Sequence, residues 1–116
     1  MLSSECRVFY LKLEADLHRY KLELIHYEYL EANILQKEFE ANDHLEKLKN
    51  ETKEIYLRAC EDAEKLAPIN KLRLGVFLNY STFLAEFAEK VQDARYIAGK
   101  TFESALEMFV RMEDLE

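Results

Sequence analysis

Val8-Phe9-Tyr10-Leu11-Lys12-Leu13-Glu14-Ala15-Asp16-Leu17-His18-Arg19-Tyr20 and Leu72-Arg73-Leu74-Gly75-Val76-Phe77-Leu78-Asn79-Tyr80-Ser81-Thr82-Phe83 decide how this chain reads. In each, helical spacing places a narrow polar strip between apolar flanks. Carried on to Tyr29, the first stretch has one apolar arc of Phe9, Leu13, Leu17, Tyr20, Leu24 and Tyr27. A second arc holds Val8, Leu11, Ala15, Leu22 and Tyr29, and Lys12, Asp16, Arg19 and Glu23 run between the two. An ordinary surface helix has one apolar arc and one broad polar face. A charged strip hemmed in on both sides points to the lining of a groove, although the same spacing also suits a solvated ladder of ion pairs.

Lys12 and Arg19 lie two turns apart, about 10 Å along the axis. Arg19 carries a planar fork suited to phosphate oxygens, the adjacent Tyr20 adds a hydroxyl, and Asp16 sits one turn from each cation. In the second stretch Leu72, Val76, Phe77, Tyr80, Phe83, Leu84 and Phe87 form a wide apolar arc for the core. Gly75, Asn79, Thr82 and Glu86 form a strip on the other side, flanked by Leu78. The Asn79 amide both donates and accepts, which suits an extended peptide backbone, and Gly75 leaves room for close approach. A capping or inter-helix Asn with a Gly at a crowded crossing fits the same spacing.

Outward from these stretches the chain reads as helix nearly throughout. Residues 4 to 41 read as helix, with Ser3 or Ser4 as N-cap and a length of roughly 57 Å, so a bend after Tyr29 is expected. Asn42-Asp43 marks the break, with Asp43 capping a second helix to Leu66 that carries Leu45, Leu48, Thr52, Ile55, Ala59, Ala63 and Leu66 on one face. Pro68 ends that helix. A third runs from Asn70 or Lys71 to Ala88 or Glu89, and a fourth from Asp93 to Met112. The fourth has Ala94, Ile97, Ala98, Thr101, Phe102, Ala105, Phe109 and Met112 as its apolar face, and Met108 to Met112 read as core. No alternating Val/Ile/Thr run predicts a strand. The fold class is all-α, an antiparallel array of about four helices in one domain over residues 1–116.

Composition agrees. Among 116 residues there are two Gly and one Pro, few enough for long helices with few tight turns. Seven Tyr and seven Phe supply core surface. A net charge of −7 argues against nucleic acid and against an anionic membrane surface. No apolar run is long enough to span a bilayer, and the N-terminal residues lack the blocks of a signal peptide. Cys6 and Cys60 stand far apart without metal-ligand spacing, which fits idle thiols in the cytoplasm. Glu23-Leu24-Ile25-His26 fits half of a di-iron motif, but a second such unit is missing and His44 has no evident partner, so neither a metal nor another cofactor is expected. With no phosphate loop, nucleophile elbow or Cys/His dyad, no enzyme activity is expected.

The two stretches together resemble the groove-forming helices of the 14-3-3 family. Val8 to Lys12 with Asp16, Arg19 and Tyr20 is similar to the family's fifth helix. Arg73-Leu74-Gly75 and Leu78-Asn79, with Ser81, Phe83 and Glu86, is similar to the seventh, preceded by the Pro68 turn. Ala94 to Leu106, with Ala98-Gly99-Lys100-Thr101-Phe102, resembles the eighth, and the helix between is then the sixth. The resemblance implies an adaptor that binds phosphoserine or phosphothreonine in partner proteins. Arg19 and Tyr20 would hold the phosphate, Lys12 the peptide or its phosphate region, Asn79 the ligand backbone and Leu78 an apolar wall, with Glu86 in a polar role. The chain departs from the family by lacking its four preceding helices and its ninth, by a longer stretch between Tyr20 and Pro68, and by Thr82 at a usually apolar groove position. Weak phosphopeptide binding follows, since part of the charge that offsets phosphate desolvation is missing. An apolar helix face left uncovered would favour self-association, and the alternative function is a helical interaction or dimerisation module without phosphate recognition.

Overall fold

A computed structural model describes residues 3–114; Met1 and Leu2, part of the N-terminal reading, lie outside the described residues. Five helices follow in order: α1 (Ser4–Glu31), α2 (Gln36–Glu40), α3 (Asp43–Ala63), α4 (Lys71–Phe87) and α5 (Val91–Asp114). The protein is all-α. The extents of 57 × 34 × 19 Å make it a slab no more than two helix diameters thick. Within it α1, α3 and α4 pack on one another and α5 packs against α4.

α1, α3 and α4 begin where side chains meet their free N–H groups. The Ser3 hydroxyl accepts from the Cys6 amide, and the Asn70 side chain accepts from Leu72 and Arg73. At α3 the cap is Asn42 rather than the expected Asp43, because the Asn42 carbonyl accepts from the Leu45 amide while its amide donates to the Tyr29 hydroxyl. That second bond ties the start of α3 to α1.

The expected single helix over residues 4 to 41 is broken. α1 ends at Glu31, Asn33 adopts a left-handed φ of 57°, and the chain reverses before the single turn of α2. A short polar side chain tolerates that conformation. The reversal drives Phe39 into the core at 2% exposure, against the rings of His26 and Tyr29. α3 also stops short of Leu66: its last turn loosens after Ala63, and Arg73 of α4 donates to the Glu64 and Leu66 carbonyls there.

The core lies between α1, α3 and α4. Val8, Ala15 and Leu22 of α1 meet Tyr56, Ala59 and Ala63 of α3 and Val76, Tyr80 and Phe83 of α4. Of the two apolar arcs on α1, the one containing Val8, Ala15 and Leu22 is therefore the buried one. The arc from Phe9 to Tyr27 points away from the core, with exposures of 44–67%. On α5 only Ala94 is buried, and Phe102, Phe109 and Met112, expected in the core, stand outward. The described elements provide no further helix for that face to pack on.

Candidate functional site

Asp16 is the centre of the polar strip. Its side chain is 7% exposed, and one carboxylate oxygen accepts from the Tyr56 hydroxyl at 2.6 Å. The Asn79 amide donates to both carboxylate oxygens at 3.0 and 3.1 Å, and the Lys12 ammonium donates at 2.8 Å. One carboxylate thus joins α1, α3 and α4, and it places Lys12 and Asn79 side by side across the α1–α4 seam.

Gly75 explains how the two helices come so close there. A Cβ at Gly75 would fall 2.9 Å from Cε of Lys12, so the Lys12 stem lies in the space a side chain would take. The room expected at Gly75 is used by a neighbouring helix's lysine.

Arg19, one turn beyond Asp16, is itself buried. Its Nε donates to the Tyr56 hydroxyl at 3.0 Å and its Nη1 to Glu23 at 2.8 Å. Nη2 lies 3.9 Å from Asp16, too far for a hydrogen bond. Burial works against the Arg19 charge, but the Tyr56 hydroxyl, Glu23 and Asp16 outweigh it and hold the guanidinium firmly charged. Burial, with the bond to Asp16, pushes the Tyr56 phenol well above its ordinary range, which keeps it a neutral donor.

The remaining expected site residues lie around this network. The Tyr20 ring, 46% exposed, stacks beside the Arg19 guanidinium at 5.0 Å. Leu78 is exposed next to Asn79 on α4, and the Thr82 hydroxyl donates to its carbonyl. Glu86 stands at the far end of the strip. Desolvation and the charge of Glu23 raise its pKa above the usual carboxylate value. Beyond it Glu23, His26, Tyr27, Leu30, Glu86 and Phe87 line a cleft of about 430 Å³. Lys12, Arg19, Tyr20 and Asn79 are thus close together, whereas Leu78 and Glu86 flank the cluster on α4.

Sequence reasoning missed Tyr56, which links Asp16 to Arg19. The available signal was its place one turn after Thr52 on the face of α3 that carries Ile55 and Ala59. His26, the candidate metal ligand, instead contacts Gln36 and the Phe39 ring.

Fold and strip define an all-α protein whose buried charges, Asp16 and Arg19, sit where three helices meet. The chain belongs to the 14-3-3 family, whose model, described as 14-3-3 protein, matches residues 1–115. It is 32% identical over 105 residues to Protein BMH2 of Saccharomyces cerevisiae, covering 90% of this chain and 33% of that protein. It is 35% identical over 107 residues to a 14-3-3 protein of Eimeria tenella, covering 91% and 33%. The match to the 14-3-3-like protein G-BOX factor 14 lambda of Arabidopsis thaliana is 32% over 106 residues, covering 90% and 36%. The chain spans about a third of the length of these curated relatives. No helix among the described residues is long and apolar enough to cross a membrane.

Proposed function

We propose that the chain is a phosphoserine/phosphothreonine-binding adaptor of the 14-3-3 type that acts in the cytoplasm by recognition alone. Arg19, Tyr20 and Lys12 take the phosphate, Asn79 the peptide backbone, Leu78 an apolar flank, and Glu86 a polar contact at the groove's end. The observation that carries this reading is the Asp16 carboxylate, which holds Lys12 and Asn79 against each other with Arg19 one turn away. Both cations are already paired with carboxylates, so a phosphate displaces contacts as it binds, and binding is weak.

Fluorescence anisotropy with a phosphoserine peptide and its unphosphorylated twin tests the reading. Arg19→Ala is one variant, and Lys12→Gln is the second because it leaves the buried bond to Tyr56 untouched. Phosphate-dependent binding that weakens in both variants is expected. Equal titration by the two peptides would overturn phosphate recognition. It would favour a second reading, contact between proteins through the exposed apolar faces of α1 and α5.

A further inference from the structure

On the side of α4 opposite Gly75 and Asn79, Arg73 and Phe77 line a cavity of about 290 Å³ shared with α5. From α5 a single stripe, Tyr96, Ile97, Lys100, Thr101 and Ser104, forms the second wall, and Glu64 and Pro68 close one end. Phe77, Ile97 and Pro68 are half-buried and give the cavity an apolar floor. None of these residues belongs to the cluster assigned to phosphate.

Arg73 is the half-buried charge of this cavity. Its Nη1 donates to the Glu64 and Leu66 carbonyls at 3.2 and 2.9 Å, and its central carbon lies 5.8 Å from the centre of the Phe77 ring. Those contacts fix the guanidinium and use both N–H bonds of Nη1. Nε and Nη2 donate to nothing among the described residues, and no carboxylate there pairs with them, although the chain carries 23 acidic residues. Closing off the end of α3 needs Nη1 alone. The remaining Nε–Nη2 edge presents two parallel N–H bonds, the geometry that grips both oxygens of a carboxylate.

The rest of the lining fits such a ligand. Lys100 lies 5.7 Å from the centre of the Tyr96 ring, and its one ion pair, with Glu103 at 3.5 Å, is exposed on both sides and weak. Thr101 donates its hydroxyl to the Ile97 carbonyl, while the Ser104 hydroxyl has no partner among the described residues. We propose that this cavity binds a small monocarboxylic acid with an aromatic or branched apolar body. The carboxylate sits on the Nε–Nη2 edge of Arg73 with Lys100 as the second cation, and the body lies against Phe77 and Ile97. Glu64, the one carboxylate lining the cavity, disfavours a second negative charge on the ligand.

Phenylpropionate and its neutral counterpart phenylpropanol test the proposal, each titrated into the full chain and followed by nitrogen–proton NMR correlation spectra. Phenylpropionate should shift the amides of Phe77, Ile97, Lys100 and Ser104 and saturate in the millimolar range expected of so small a ligand. Phenylpropanol should bind about tenfold more weakly, the ratio for losing one charge-assisted contact. Lys100→Gln should weaken phenylpropionate by about threefold and leave phenylpropanol unchanged. Ser104→Phe should fill the cavity and abolish binding of both with helix content kept by circular dichroism. Arg73→Lys keeps the charge but not the fork and should bring phenylpropionate down to the affinity of phenylpropanol. Because Arg73 also closes off α3, Lys100→Gln and Ser104→Phe carry the test if that variant unfolds. Equal affinity for acid and alcohol, binding that survives Ser104→Phe, or shifts confined to Lys12 and Arg19 would each overturn the proposal. Phosphopeptide recognition shares no residue with this cavity, so neither result bears on it.

Discussion

Replacing Asp16 with alanine removes the group on which three helices converge. The hydrogen bonds from Tyr56 at 2.6 Å and Asn79 at 3.0 Å both go to a charged acceptor, and each such bond is worth about 1.5–3 kcal/mol. The Lys12 pair, whose lysine side chain is 26% exposed, adds little, about 0–1 kcal/mol. Deletion also strands the hydroxyl of Tyr56, a residue with 0% exposure, and strips a partner from the buried Arg19. Neighbouring terms in one network do not add, so we expect a loss of about 3–5 kcal/mol, the range for removing one member of a buried charged set. A domain of this length has only about 5–15 kcal/mol in total. Asp16→Asn, which keeps the shape and one acceptor, should fall between wild type and alanine. Urea denaturation followed by helical circular dichroism measures both. The cycle with Tyr56→Phe should return a coupling of about 0.5–3 kcal/mol. An Asp16→Ala loss under about 1 kcal/mol, typical of a solvated surface pair, would refute the idea that this carboxylate ties the helices together.

Glu86→Gln should raise the melting temperature at neutral pH. Desolvation and Glu23 lift the folded pKa of Glu86 above its ordinary 4.5, so its contribution is most favourable when protonated and is lost as pH rises through the folded value. The gain should fade in buffers below that ordinary value, and an equal gain at every pH would contradict the electrostatic cause. Gly75→Ala should stabilise α4 by less than the gain of about 0.5–1 kcal/mol usual in a helix interior, because the new Cβ pushes the flexible end of Lys12 away from Asp16. It should weaken phosphopeptide binding by displacing that ammonium. A variant that binds peptide as wild type does would place Lys12 outside the recognition surface.

Much of this was legible in the residues. The spacing of Val76, Tyr80, Phe83 and Phe87 and the strip from Lys12 to Glu23 are local signals, and each reappears in the structure. What escaped depends on distant partners. The two arcs of α1 are nearly equal in apolar character, and only the presence of α3 and α4 decides that Val8, Ala15 and Leu22 turn inward. The reversal at Asn33 is stabilised by Phe39 reaching His26 and Tyr29, a contact that no helical period announces. Tyr56 looked like one more aromatic on a helix face until its hydroxyl met Asp16, a contact spanning 40 residues of sequence.

On the proposed function, the same network that positions Lys12, Asn79 and Arg19 also limits how they take a phosphate. An incoming phosphate finds Lys12 held by Asp16 and Arg19 held by Tyr56 and Glu23. Its gain is therefore the difference between charge-assisted bonds to phosphate and those already made to carboxylates, not their sum. The net charge of −7 adds long-range repulsion of a dianion, which salt screens within about 10 Å at 0.1 M. These two effects separate in experiment. Added salt weakens the local pairing of phosphate with Lys12 and Arg19 but relieves the global repulsion, so phosphopeptide affinity should depend on ionic strength less steeply than for a basic groove. Replacing Glu23 with glutamine exchanges the charged acceptor of Arg19 Nη1 for a weaker, neutral one and removes a charge beside Glu86, and on this reasoning it should tighten phosphopeptide binding. Weaker binding in Glu23→Gln would mean that Glu23 is needed to aim Arg19, with orientation outweighing competition.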